Sequence, residues 1–233
     1  MPRTELDRRS LIRGASAGGA LLFLGCGTGS TNSPAGEPMA IPGCVVRPQQ
    51  TAGPFPNKTA LDRSDIRSEP GAMAPKPGLP LRVVIRVGQV VAGECRGYQG
   101  VAVDLWQCDA AGVYSGYAEQ GTPGLNYLRG YQITDGTGSA EFLSIFPGSY
   151  PGRAVHLHFA VRTNPAGAGG SFISQLYFPE DVVAEVFAQP PYSAGRPQSN
   201  ISDSIFNAGG SNLIPRMSKS DGGWLAEFDL GLV

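Results

Sequence analysis

The chain has 233 residues with 33 Gly and 20 Pro, 16% charged residues and a formal net charge of −1. That length suits one domain with a substantial core, and the turn-rich, weakly charged composition argues against long amphipathic helices. No basic cluster lies beyond the first residues, so the electrostatic footprint of a nucleic-acid binder is missing.

The N-terminus reads as an export leader. Arg8 and Arg9 open RRSLIRG, and the small, apolar run ASAGGALLFLG follows and ends at Cys26. The paired arginines resemble a twin-arginine export signal, and FLGC resembles a lipobox with Phe23 where Leu is usual, which marks Cys26 for lipidation. Residues 1–25 are therefore expected to be a Tat-type leader, and residues 26–45, containing GTGSTNSPAGEPMA, a flexible tether. Residues 46–233 are expected to form the folded domain, exported to the periplasm or cell envelope and tethered to the membrane through Cys26. Cys44, Cys95 and Cys108 allow one disulfide in an oxidising compartment, with three pairings open.

Beyond residue 80 the pattern alternates with a period of two. Leu81, Val83, Ile85 and Val87 share one face of a strand, as do Val101, Val103 and Leu105 of a second, with Asp104 on its polar side. Further strands are expected over 140–145, 154–162, 172–178 and 224–230, separated by turns such as DGTG and FPGSYPG. One short helix is expected, with Pro179 as its first residue, Glu180 and Asp181 in its first turn, and Val182, Val183, Val186 and Phe187 as its apolar side. The fold class is all-β: a sandwich of mostly antiparallel strands with one short helix and long loops.

The only two histidines, His156 and His158, lie within the strand RAVHLHFAVR. Alternation puts both on one face with Ala154 and Ala160, opposite Val155, Leu157, Phe159 and Val161, about 7 Å apart at the backbone. That spacing lets two imidazoles converge on one metal ion, but an isolated H-x-H is more often the wet face of a sheet, or includes one satisfied buried histidine. With no third His, a metal site here must recruit Asp, Glu, Tyr or Cys.

The stretches PQQTAGPF (48–55), LWQCDAAGVY (105–114), FPGSYPGR (146–153), HLH (156–158) and SQLYFP (174–179) occur in unbroken order. Together they resemble the intradiol ring-cleavage dioxygenases, the family of the protocatechuate and catechol dioxygenases, and most closely its short exported members. The resemblance implies a non-haem Fe(III) held by Tyr114, Tyr150, His156 and His158, with Tyr150 and His158 axial and Tyr114 and His156 equatorial. Phenolates are hard anionic donors that favour ferric iron, and imidazole suits iron and fixes geometry. It also implies a catechol-type substrate that displaces Tyr150, cleavage with O2 between the two hydroxyl-bearing carbons, and a cis,cis-muconic acid product.

By the same resemblance Arg153 stabilises negative charge building on the substrate ring, Gln175 lies near that ring, and Gly53 and Pro54 wall the substrate pocket. Trp106 is expected to pack behind the site. Strict alternation sends Arg153 to the face opposite the histidines, so its role requires a bend at Pro151 and Gly152. Only those two residues separate Tyr150 from Arg153, where the best-known members carry a longer insert, so their substrate preference does not carry over. Nor does the dimer of the catechol branch, whose helical N-terminal region has no counterpart here; the oligomeric state stays open. The alternatives are a non-catalytic transthyretin-like β-sandwich binding at the cell surface, and a cupin-like or zinc enzyme using H-x-H with a further ligand.

Overall fold

A computed structural model describes residues 45–59, 61–167, 172–192 and 197–232. The leader, Cys26, Cys44 and nearly all of the expected tether lie outside the described residues. Among the described residues nine strands form two sheets: β1 (Pro80–Val91), β2 (Glu94–Gly97), β3 (Ala102–Trp106), β4 (Arg129–Ile133), β5 (Ser139–Ile145), β6 (His156–Arg162), β7 (Phe172–Tyr177), β8 (Arg216–Ser220) and β9 (Gly223–Leu232). One sheet runs β2-β1-β9-β8, with β5 also on β1; the other runs β4-β3-β6-β7. All pairings are antiparallel except β1 with β9. The all-β sandwich expected from the alternation is the observed architecture.

Its core lies between the sheets. Leu81, Val83, Ile85 and Val87 of β1 meet Val103, Leu105, Leu157, Phe159 and Val161 of the second sheet, all fully buried. Phe159 joins the layers: its ring lies 5.8 Å from Phe172 on the neighbouring strand and 5.7 Å from Phe228 on β9. Helix α1 (Glu180–Phe187) buries Val182, Val183 and Val186. It starts one residue later than expected, because Pro179 is its N-cap with an extended ψ of 142°. Strands β2, β4 and β8 were not foreseen; two are four- or five-residue stretches rich in polar residues, and RGYQI of β4 carries no clear alternation.

Two expectations about faces are corrected. The second sheet has no wet side where the histidines lie: every residue of β6 is buried, including His156 and His158 at 1% exposure each. Long loops and the segment after residue 45 cover that face. Likewise Asp104 is buried, which its ion pair with Arg162 at 2.7 Å makes tolerable. Cys108 is buried and free while Cys95 is disulfide-bonded, so both pairings through Cys108 are excluded.

Removing the ring that ties the sheets together should be costly. Phe159→Ala is expected to destabilise the fold by about 3–5 kcal/mol, read as a lower urea midpoint at unchanged slope.

Candidate metal centre

Strand register assembles the site. Antiparallel pairing sets Arg129 of β4 opposite Trp106 of β3, Trp106 opposite His158 of β6, and His158 opposite Gln175 of β7. One row of side chains thus crosses four strands on the loop-covered face. Two residues along β6, His156 pairs with Tyr177. The Trp106 ring stacks on His158 at 5.1 Å and an interplanar angle of 5°, so it backs the imidazole as expected.

The two tyrosines come from loops. Tyr114 follows β3 in a loop held by Asp109, whose carboxylate accepts the N–H groups of Ala111 and Val113 at 3.0 and 3.1 Å. Thr122 donates to the Tyr114 carbonyl at 2.6 Å. Tyr150 follows β5, and the two loops pack backbone to backbone at Gly112, where any Cβ would collide with the Ser149 carbonyl oxygen. This contact puts the tyrosine rings 5.7 Å apart, edge to face.

His156 Nε2 lies 3.2 Å from His158 Nε2 and 3.1 Å from Tyr150 Oη. The Nδ1 atom of His156 is 2.7 Å from the Ala154 carbonyl oxygen. A carbonyl can only accept, so in the neutral ring Nδ1 carries the proton and Nε2 presents a lone pair. His158 Nδ1 is buried without a hydrogen-bond partner. Two imidazole Nε2 atoms therefore meet in a buried space, that of His156 presenting its lone pair. The Tyr114 hydroxyl, fully buried and close enough to influence Tyr150, also has no hydrogen bond of good geometry. Converging ring nitrogens and an orphaned phenol are what a buried cation would satisfy. Tyr150 is the only one of the four that is partly exposed.

Arg153 does reach this face. The turn at Pro151 and Gly152 ends before β6 begins, so Arg153 is not on the strand and alternation does not govern it. Its Nη1 lies 3.3 Å from both Tyr150 Oη and His156 Nε2, and its Nη2 donates to Gln175 Oε1. Gln175 Nε2 in turn donates to the Thr51 carbonyl at 2.9 Å. Gly53 lies against the His158 ring: a Cβ there would be 3.0 Å from Cε1 and 3.3 Å from Nε2. Pro54, beside it, is exposed.

Three residues join the site that sequence reasoning missed. Asp203 accepts Arg153 Nε and the Ala154 N–H through one oxygen, both at 2.9 Å, and the Ile205 N–H at 2.8 Å through the other. Burial works against its charge, but those donors hold its pKa below the usual carboxylate value. Tyr177 Oη lies 2.9 and 3.0 Å from Gln50 Oε1 and Gln175 Oε1, between which it shares its one proton. Arg129 ends the row beyond Trp106. Period-two spacing within SQLYF could have flagged Tyr177 beside Gln175; Asp203, fifty residues from Arg153 in a loop, carries no local signal.

Burial first, and then the nearby Arg153 charge, push the His156 imidazole down to about 3; burial and the neighbouring His156 push His158 well below its usual value. Burial raises Tyr114 and Tyr150. Both histidines are thus less basic folded than unfolded, so the unfolded chain takes up protons first. Metal-free protein should keep its full stability above pH about 6.5 and lose it as pH falls from there toward about 3. Thermal melts from pH 8 to pH 4 test this, and a His156→Gln variant should show a shallower loss.

The dioxygenase family model matches residues 51–198. The chain is 33% identical over 138 residues to the protocatechuate 3,4-dioxygenase beta chain of Burkholderia cepacia, covering 54% of this chain and 56% of that protein. It therefore spans little more than half the length of this curated relative. It also resembles the solved intradiol ring-cleavage dioxygenase from Tetranychus urticae, at 26% identity and a TM-score of 0.71, over 81% of this chain and 94% of that one. The dioxygenase domain of a carbohydrate-binding fusion protein from Streptomyces sp. SirexAA-E is likewise 26% identical, with a TM-score of 0.59 over 81% of this chain and 98% of that one. The family match runs from the segment over His158, through both tyrosines and both histidines, to beyond Gln175, and the chain belongs to the intradiol ring-cleavage dioxygenase family.

Proposed function

We propose that the protein uses Fe(III) to cleave a catechol-type aromatic with O2 between its two hydroxyl-bearing carbons, giving a cis,cis-muconic acid type product. The observation that carries this reading is the convergence of two imidazole Nε2 atoms with two phenols in a buried space. Tyr114, Tyr150, His156 and His158 would hold the iron, which when bound supplies a Lewis-acidic, anion-balanced centre that binds the diol as its catecholate and favours attack by O2 on the ring.

The remaining work falls to side chains. Tyr150, the partly exposed member of the four, would be a phenolate when the iron is bound, and its Oη would then accept a proton from the incoming diol. Arg153 Nη1, beside that Oη, offers a fixed positive charge to the electron-rich ring. Gln175 is committed through both ends of its amide, to Arg153 and to Thr51, so it positions these rather than contacting the ring. Gly53 and Phe55 wall the slot over His158 and Tyr114, and Phe55 stacks on the Tyr114 ring at 4.8 Å. Export, with lipidation at Cys26, is part of the same proposal and rests on the leader pattern of residues 8–26.

Iron-loaded protein should be red-brown from tyrosinate-to-iron charge transfer and should change colour on anaerobic addition of catechol. Colourless protein after iron loading would refute the reading, and a Tyr114→Phe variant that kept the full band would refute the ligand assignment. Oxygen uptake with catechol, protocatechuate and hydroxyquinol identifies the preferred diol. Asp203→Asn should keep the colour while kcat falls by on the order of tenfold to a hundredfold, because Arg153 loses the partner that aims it. In an Arg153→Met background the same change should have little further effect.

A further inference from the structure

Arg129 is 2% exposed, and among the described residues it makes no ion pair; the rings of Tyr114 and Tyr117 flank it instead. A buried guanidinium is ordinarily neutralised by an acid. Here every donor goes instead to a neutral oxygen from one of two segments. Nε donates to Ser115 Oγ at 2.9 Å and Nη2 to the Ser115 carbonyl at 2.8 Å, both in the Tyr114 loop. Nη1 donates to the Pro56 carbonyl at 3.1 Å, and both Nη atoms reach the Phe55 carbonyl at 3.4 Å. The guanidinium lies 5.9 and 5.4 Å from the Tyr114 and Tyr117 ring centroids.

Segment 51–56 has no regular secondary structure of its own. Its Gly53 touches His158 and its Phe55 stacks on Tyr114, so its position sets the width of the slot above both. We propose that Arg129 is a positioning residue that latches this wall to the Tyr114 loop, and that substrate affinity, rather than turnover, depends on the latch. The affinity half rests on the proposed ring cleavage; the latch does not. Tyr114 keeps its own anchors, Thr122 on its carbonyl and Asp109 on the loop before it. Arg153, whose anchors are Asp203 and Gln175, makes no contact with Arg129. Loss of the latch should therefore loosen the wall and leave the reacting groups in place. Lysine cannot replace arginine here, since one ammonium cannot reproduce a planar fork spanning two segments.

The test uses the full chain with Arg129→Lys, Arg129→Met and Tyr117→Phe. The last removes a different tie on the wall, the Tyr117 hydroxyl donated to the Pro56 carbonyl at 2.7 Å, and leaves Arg129 and the Gln175 bond to Thr51 intact. In metal-free protein, hydrogen exchange of the Ala52, Gly53 and Phe55 amides should quicken in both Arg129 variants and less so in Tyr117→Phe, while β3 and β6 amides keep their protection. In iron-loaded protein, KM for catechol should rise about tenfold with kcat within about twofold and the charge-transfer band unchanged. Unaltered exchange of segment 51–56 in Arg129→Lys and Tyr117→Phe overturns the latch. So does a fall in kcat at constant KM, or faster exchange spread evenly over the sheets. If Arg129→Met fails to fold, the other two variants decide; if the wild type cleaves no catechol, the proposed function fails and hydrogen exchange alone decides the latch.

Discussion

The cross-strand register of the β4-β3-β6-β7 sheet is the constraint on which the site depends. Because side chains alternate with a period of exactly two residues, a slip of one residue anywhere in β6 would turn both histidines into the core and bring Leu157 out. Leu157, Phe159 and Val161 forbid that slip, since each is fully buried between the sheets. The apolar face therefore aligns the polar one. It sets Arg129, Trp106, His158 and Gln175 in a single row, so packing energy on one side of the sheet becomes positional accuracy on the other.

The polar face is buried as well, and this burial shapes its electrostatics. The imidazoles are held neutral, the phenols are held protonated, and the two Nε2 atoms lie 3.2 Å apart. Such a centre is costly to bury until something cationic fills it. The charged groups around it are held by their own partners: Asp203 and Gln175 aim Arg153, whose Nη1 faces Tyr150 and His156, and Arg129 is tied to three backbone carbonyls. A frame of side chains fixed by second partners thus surrounds the four candidate ligands.

Loops complete what the strands begin. Tyr114 and Tyr150 are brought together because Gly112 lets two backbones approach more closely than a side chain would allow. Segment 51–56 closes the other side, through Gly53 on His158, Phe55 on Tyr114, and the Thr51 carbonyl on Gln175. These contacts link residues far apart in the chain, and they explain why a face that strand patterning alone leaves open to water is dry.

From the sequence alone came the all-β class, the shared face of His156 and His158, and, through ordered motifs, the family and the four candidate ligands. Each depends on local periodicity or on short stretches that keep their spacing, which a linear string records. The direction of Arg153 was misjudged by alternation because the turn at Pro151 and Gly152 takes it off the strand. Asp203, Tyr177 and Arg129 became visible only in the folded chain. Their roles follow from which distant backbone carbonyls, amides and rings they meet, and those neighbours are chosen by the packing of two sheets and three loops rather than by any pattern in the residues beside them.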